Sequence, residues 1–219
     1  MKKQLYIFLL SSISVLLSFG AGCQDTGRFA VSGKAGTLGV GPEFTAKLAT
    51  DINIRVGLNT LDIDLDDKDI EDVDYDLGID LSSLSAIVDW HIFDDPFRIS
   101  GGFISMNNKI EMDARPNNSV EIGNTIYTPA QIGTLTGRVD IDGLSPYLGI
   151  GWGNPFAGKR RWGFTVDMGL AFTDSPDVKL SSTGIVSSAD LEKERRDIED
   201  DLDSIRVYPV ITLGLFFRF

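Results

Sequence analysis

The stretch Val207-Tyr208-Pro209-Val210-Ile211-Thr212-Leu213-Gly214-Leu215-Phe216-Phe217-Arg218-Phe219 decides the fold. Its odd positions are all apolar, while its even positions include Thr212, Gly214 and Arg218. Period two of this kind describes a strand with one greasy face. The pattern recurs upstream. Trp162 to Phe172 sets Trp162, Phe164, Val166, Met168, Leu170 and Phe172 against Gly163, Thr165, Asp167, Gly169 and Ala171. Ile52 to Leu58 sets Ile52, Ile54, Val56 and Leu58 against Asn53, Arg55 and Gly57, and Pro146 to Trp152 sets Pro146, Leu148, Ile150 and Trp152 against Tyr147, Gly149 and Gly151. Leu135 to Ile141 places Leu135, Val139 and Ile141 opposite Thr136, Arg138 and Asp140.

Alternation alone also fits a soluble sandwich, whose apolar face is its core. Three features favour a membrane barrel with the apolar face outward. The polar faces are rich in glycine and carry both signs of charge, as a narrow lumen requires. The strands run to about 9–14 residues, enough to cross a hydrocarbon layer when tilted, against about 5–6 in soluble sheets. Aromatics (Trp90, Phe93, Phe97, Trp152, Phe156, Trp162) gather near strand ends, where an interfacial girdle lies.

Composition agrees. The 219 residues carry 20 Lys and Arg against 32 Asp and Glu, a net charge of −12, with one Cys and one His. The acidity argues against nucleic acid as a partner, and the Cys and His counts exclude a disulfide framework and the usual zinc sites. No cofactor or metal ligand set is read from the sequence. Met1-Lys2-Lys3, the apolar run Leu5 to Phe19 and the small residues Gly20-Ala21-Gly22 read as a secretory signal peptide over 1–22, leaving 23–219 as the barrel domain. Cys23 stands where a lipoprotein signal places its acylated cysteine, but Gly20 replaces the preferred Leu, so lipid modification and ordinary cleavage both stay open.

Strands are expected near 33–49, 52–64, 76–91, 97–113, 133–141, 145–154, 161–173 and 206–219, with turns at Thr50-Asp51, Asp94-Asp95-Pro96 and Asp142-Gly143. The apolar positions change parity between Leu81 and Leu84, which predicts a bulge near Ser82-Ser83, and again after Leu58. Segment 178–186 reads as a weak further strand. Segment 187–205 is a charged insertion with one short helix over 189–204, started by Ser187 and Asp190 as a capping box. The fold class is therefore all-β: an antiparallel transmembrane β-barrel of eight strands, ten being the alternative count; counting 178–186 as a strand puts loops 66–75, 114–132 and 154–160 outside but gives an odd nine.

Three features invite chemistry. The carboxylate run 62–76 suggests divalent cations, yet an EF-hand starting at Asp62 fails because Asp67 and Val73 stand where Gly and Glu are needed, leaving a solvated loop with at most loosely held ions. Asp89-Trp90-His91 could orient a base, but no serine stands in a nucleophile motif nearby, so no enzyme is expected. Gly149-x-Gly151-x-Gly153 lies inside a strand and lacks the strand-turn-helix context of a phosphate loop.

The segments Gly36-Thr37-Leu38-Gly39, Arg55-x-Gly57-x-Asn59, Asp89-Trp90-His91, Arg98-x-Ser100-Gly101-Gly102, Pro146-Tyr147-Leu148-Gly149-Ile150-Gly151-Trp152-Gly153-Asn154 and the ending Tyr208-Pro209-Val210 to Arg218-x-Phe219 resemble a family of poorly characterised Gram-negative outer-membrane β-barrel proteins. The resemblance covers nearly the whole mature chain and implies location and fold, with no activity attached to particular residues. Tyr208, Leu213, Leu215, Phe217 and Phe219 resemble the C-terminal signal read by the barrel-assembly machinery. Glu43, Lys47, Arg55, Arg98, Arg138, Asp140 and Asp167 are expected as an interior charge network. The expected role is a small outer-membrane barrel with a largely plugged polar interior and a structural or surface-interaction function, in contact with lipid and lipopolysaccharide. The alternatives are a narrow porin-like channel for small solutes, and an outer-membrane hydrolase using His91.

Overall fold

Strand pairing closes a ring. The computed structural model describes residues 27–70, 73–92, 96–203 and 206–219, excluding the side chains of 66–74 and 203. In chain order the elements are β1 (Phe29–Gly36), β2 (Gly39–Lys47), β3 (Ile52–Ile70), β4 (Val73–His91) and β5 (Phe97–Pro116). A short hairpin of β6 (Val120–Ile122) and β7 (Thr125–Tyr127) and the single turn α1 (Pro129–Ile132) follow. Then come β8 (Leu135–Trp152), β9 (Trp162–Phe172), β10 (Asp177–Ser182), α2 (Ser188–Asp203) and β11 (Val207–Arg218). Neighbours in the order β1-β2-β3-β4-β5-β8-β9-β11 are antiparallel, and β11 returns to β1, so eight strands form the barrel. The ninth strand of the sheet, β10, lies beside the upper half of β8.

The faces are those of a protein dissolved in lipid. Phe44, Leu58, Leu84, Phe103, Leu148, Phe164, Leu170 and Leu213 are exposed, while Ser32, Thr45, Arg55, Ser85, Ser100, Thr165 and Thr212 are buried. In water that arrangement would forfeit burial of the large apolar side chains, about 1.5–3 kcal/mol each; against acyl chains it costs nothing, and the closed ladder leaves no backbone edge in the hydrocarbon. The turn 48–51, the β4 end at His91, the β5 start at Phe97 and the connection 153–161 lie on one side, where Trp90, Trp152, Trp162, Phe217 and Phe219 form an aromatic belt. Short turns mark the periplasmic end of such barrels and long connections the outer end.

The wall is uneven. Strands β1, β2, β9 and β11 have 8–12 residues, close to what one crossing needs, whereas β3 and β4 have 19 each, β5 has 20 and β8 has 18. At ~3.4 Å per residue a 19-residue strand is roughly 65 Å long, well beyond a hydrocarbon layer of about 30 Å even when tilted. The surplus rises above the outer mouth as a one-sided extension made by β3, β4, β5, β8 and β10.

Within this extension the apolar face changes sides, and the predicted bulge near Ser82-Ser83 is absent. The β4–β5 register is the same at Asp80 opposite Lys109 and Ser83 opposite Met106, the Ser82 N–H between them going to Asn108 Oδ1, and the β3–β4 pairing runs through Ser82 and Leu81 without a shift. Leu84 faces out and Ser83 in; one step higher, Ser82 faces out and Leu81 is buried on the inner face. On β3 the same exchange falls between Leu58 and Leu61. The side-chain period is intact and the surroundings have changed: below this level the outside is lipid, above it the outside is water. The first register shift in the β3–β4 pair lies higher, between Leu65 and Lys68.

Several boundaries are corrected. The expected strand 33–49 is the hairpin β1–β2, turning at Thr37-Leu38, where an apolar residue points into the barrel and no Asp, Asn or Pro announces the turn. The expected turn at Asp142-Gly143 does not form, because Gly143, at φ +120°, kinks a strand that continues through to Trp152. One missed turn and one supposed turn cancel, leaving the count at eight. The merged β8 also reverses the side of 154–160, which lies at the periplasmic end. Residues 114–132 hold the β6–β7 hairpin and α1, so the outer connections contain two helices where one was expected. The segments 1–22 and Cys23 lie outside the described residues.

Candidate functional site

Each inner face has room for large side chains only where its neighbours are small. Gly151 is such a place: a Cβ there would lie 2.7 Å from Arg98 Nε and 2.7 Å from Asp167 Oδ1. A Cβ at Gly149 would strike the hydroxyl of Tyr147. The alternating glycines of β8 thus clear space for side chains of the adjoining strands β5 and β9 and for Tyr147 of β8 itself, in keeping with their place inside a strand.

Into that space six strands each send one charged side chain: Lys34 from β1, Glu43 from β2, Arg55 from β3, Asp89 from β4, Arg98 from β5 and Asp167 from β9. All are at most 8% exposed. Lys34 Nζ donates to Glu43 Oε2 and to Asp167 Oδ2, both at 2.8 Å. Arg55 spans three carboxylates, donating to Glu43 Oε2 at 3.1 Å, Asp167 Oδ2 at 3.2 Å and Asp89 Oδ1 at 2.8 Å. Arg98 donates to Asp167 Oδ1 and Thr165 Oγ1, both at 2.6 Å, and to the carbonyl of Gly153. Ser100 and Thr212 donate to Asp89 and Asp167. Three cations therefore face three anions, and the cluster is neutral. Neutrality is what makes it tenable, since each buried ion carries a desolvation penalty of several kcal/mol that partners must offset.

Toward the outer mouth the lumen becomes apolar. Leu38, Ile87, Ile104, Met106, Tyr147 and Val210 pack together. The Thr37-Leu38 turn that carries Leu38 is pinned by Tyr208, whose hydroxyl donates to Thr37 O at 2.6 Å, and by Thr37 Oγ1, which donates to Pro209 O at 2.9 Å. A cavity of about 20 Å³ lies between this layer and the charges, lined by Leu38, Glu43, Arg55, Ile87, Tyr147 and Asp167 among others. That is room for about one water.

The sequence expectations map unevenly. Glu43, Arg55, Arg98 and Asp167 come together, joined by Lys34 and Asp89, which that reading missed. Lys47 is half-buried on β2 toward its periplasmic end and lies outside the cluster. Arg138 and Asp140 are corrected: they belong to the outer face of the extension, where Arg138 Nε and Lys179 Nζ donate to Asp140 at 2.8 Å each. The Lys179 and Arg138 hydrogen bonds hold the Asp140 carboxyl below the usual range. Of the C-terminal set, Leu213, Leu215, Phe217 and Phe219 face lipid, whereas Tyr208 is half-buried on the inner face. His91 is buried at the lumen floor with Asn53 Nδ2 2.9 Å from its Nε2. Asp89, its supposed orienter, is engaged by Arg55 and Ser100. Among the described residues no cluster of His, Cys, Asp or Glu is arranged to hold a metal ion; the centre of the acidic run, 66–74, falls outside the described side chains.

A second assembly caps the extension. Ile122, Tyr127 and Ile132 form a small core with Leu135, Val186 and Leu191. Glu194 Oε2 accepts from the backbone N–H of Gly123 at 2.9 Å, so α2 clasps the β6–β7 turn. The capping box is half formed: Ser187 Oγ accepts from Asp190 N–H, while the Ser187 N–H donates to the Tyr127 hydroxyl. Ion pairs Lys193–Asp197, Arg195–Glu199 and Arg196–Glu192 at i,i+4 stiffen the helix.

No protein-family model and no curated protein matches the sequence. Among solved structures, CarO of Acinetobacter baumannii aligns with a TM-score of 0.65 and 20% identity, over 87% of this chain and 97% of that one. CarO2 of Acinetobacter baumannii aligns with a TM-score of 0.67 and 21% identity, over 90% and 100%. At these identities the likeness is one of fold. A closed antiparallel barrel with an apolar exterior and a polar lumen is an integral protein of the bacterial outer membrane.

Proposed function

We propose that this barrel does not conduct, and that its working part is the extracellular extension, which presents a surface to a partner. The single observation behind this reading is the neutral cluster that bridges the lumen from six strands beneath the Leu38 layer, leaving a cavity for about one water. A solute path would need these ion pairs to separate, leaving buried charges without partners, each with a desolvation penalty of several kcal/mol. The strands that outgrow the membrane supply the other half of the reading: an anchor alone has no use for them.

In this reading the exterior belt contacts lipid and lipopolysaccharide, and the outward residues ending in Phe219 serve recognition by the barrel-assembly machinery. We assign no catalytic role, since His91 lies buried at the periplasmic floor, far from the surface where the extension stands. Planar-bilayer recordings on purified, refolded protein test the closure. Silence at moderate voltage is expected. Large, steady conductance would overturn it in favour of a channel for small solutes.

A further inference from the structure

We propose that the free edge of β3 over residues 61–65 is a docking strip for an extended peptide whose side chains alternate apolar and basic, added as a further strand to the extension. This deepens the surface-interaction reading and rests on it.

Strand β2 accompanies β3 only as far as Thr60, which lies opposite Val40. Above that level β2 has ended at Gly39 and the Thr37-Leu38 turn bends into the lumen. From Leu61 to Leu65, β3 has β4 on one side and, among the described residues, no strand on the other. Alternate N–H and C=O groups of this segment therefore face outward, and such an edge is a template for another strand unless guarded. Proline and lysine are absent from 61–65 and the register shift comes only beyond Leu65, so the guards of this edge are the carboxylates of Asp62 and Asp64, which repel an acidic strand and admit a basic one. Five residues span about 17 Å.

The side chains specify the occupant. Leu61, Ile63 and Leu65 share the inner face, in line with Leu81, Ile79 and Leu77 of β4. Ile63, Leu65, Ile110 and Met112 are 36–43% exposed, so this sheet face is open to an apolar neighbour. Asp62 and Asp64 share the outer face and are exposed. Asp62 stands opposite Asp80 of β4, whose other cross-strand neighbour is Lys109 of β5. Asp62 thus has a carboxylate on its sheet side and no strand beyond. An added strand with apolar residues beside Leu61, Ile63 and Leu65 continues the inner face, and with Lys or Arg beside Asp62 and Asp64 sets cations against these carboxylates. A second copy of this chain does not fit: two such edges paired antiparallel about Ile63 set Asp62 against Asp64, and like charges directly opposite destabilise a sheet. The mode is β-augmentation, with backbone bonds giving affinity and alternate side chains giving selectivity.

The probe is a fluorescent Lys-Val-Lys-Ile-Lys-Val peptide, titrated against the full refolded chain in neutral detergent micelles, beside its Glu-for-Lys counterpart. Binding at least about tenfold tighter for the Lys peptide is expected, with slowed amide exchange at 61–65. N-methylation of the peptide's edge-facing amides should remove it, and the surface variant Asp62→Lys with Asp64→Lys should reverse the preference. Equal binding of the N-methylated peptide would reduce the effect to adsorption by charge and overturn the strand-addition claim. No preference between the two peptides would overturn the assigned occupant. Closed recordings without peptide binding refute this inference and leave the closed barrel standing, whereas an open channel refutes the closure whatever the peptide does.

Discussion

Replacing Arg55 by Met is the sharpest test of the lumen. The guanidinium reaches Glu43, Asp89 and Asp167 at 2.6–3.2 Å, and Met retains most of its apolar stem while deleting the charge. The cluster then holds Lys34 and Arg98 against three carboxylates, one net negative charge in a site at most 8% exposed. Breaking a buried pair by removing one partner costs about 3–5 kcal/mol, which is a loss of roughly 10²- to 5 × 10³-fold in the folding equilibrium. The assay is urea unfolding in lipid vesicles followed by tryptophan fluorescence, with heat-modifiable gel mobility as a check on the barrel. If charge imbalance is the cause, Arg55→Met combined with Glu43→Gln restores two cations against two anions and recovers most of the loss. A double variant no more stable than the single one would refute the electrostatic account and leave packing as the explanation. A single variant within about 1 kcal/mol of the parent would refute the cluster's structural role altogether.

Gly151→Val should destabilise by about 1–3 kcal/mol by forcing side chain into the space of Arg98 and Asp167; in the same unfolding assay, an unchanged midpoint would mean that β8 is not filled as described. The outer cap should respond to acid. Tyr127 and Ser187 hydroxyls hold the Asp190 carboxyl below the usual range, and Arg195 and Arg196 push Glu192 down to about 2. Because both values are depressed in the folded protein, their contribution is complete above the unfolded carboxylate range near ~4 and lost as pH falls through the folded values. Amide exchange in 188–203 should therefore accelerate between about pH 4 and pH 2, after correction for intrinsic rates, while 207–218 stays protected. A cap indifferent to that interval would show that these carboxylates do not hold it.

The barrel was legible because lipid writes its mark at every second residue. In 162–172 and 207–219 the outward residues are apolar without exception, and the structure has strands within one residue of those limits. The β1–β2 turn was not legible, since Gly36-Thr37-Leu38-Gly39 stabilises it through lumen packing of Leu38 and a hydroxyl bond from Tyr208, both long-range. Asp89 was within reach: with Val88 and Trp90 outward, its side chain had to face the lumen. Lys34 was hidden by the merged reading of 33–49. Arg138 and Asp140 failed for a different reason, since the alternation of 135–141 is the same whether the greasy side meets lipid or a neighbouring protein layer.

That ambiguity also bears on what the extension is for. A strand that leaves the hydrocarbon with its register unbroken, as β4 does between Leu84 and Leu81, carries its orientation with it, so the extension is held by the same backbone ladder as the barrel. A bulge at the boundary would have kept one apolar face throughout and left greasy side chains pointing into water on the outside. Exchanging faces instead places them on the inner side, where Leu135 is covered by the α2 and β6–β7 cap, while Ile63, Leu65 and Met112 remain open. The covered part needs no partner. The open part, bordered by the unpaired edge of β3 and by Asp62 and Asp64, is the portion of this surface where apolar burial, backbone bonds and charge pairing could all be gained at once, which is why strand addition there is the interaction the molecule is best built to make.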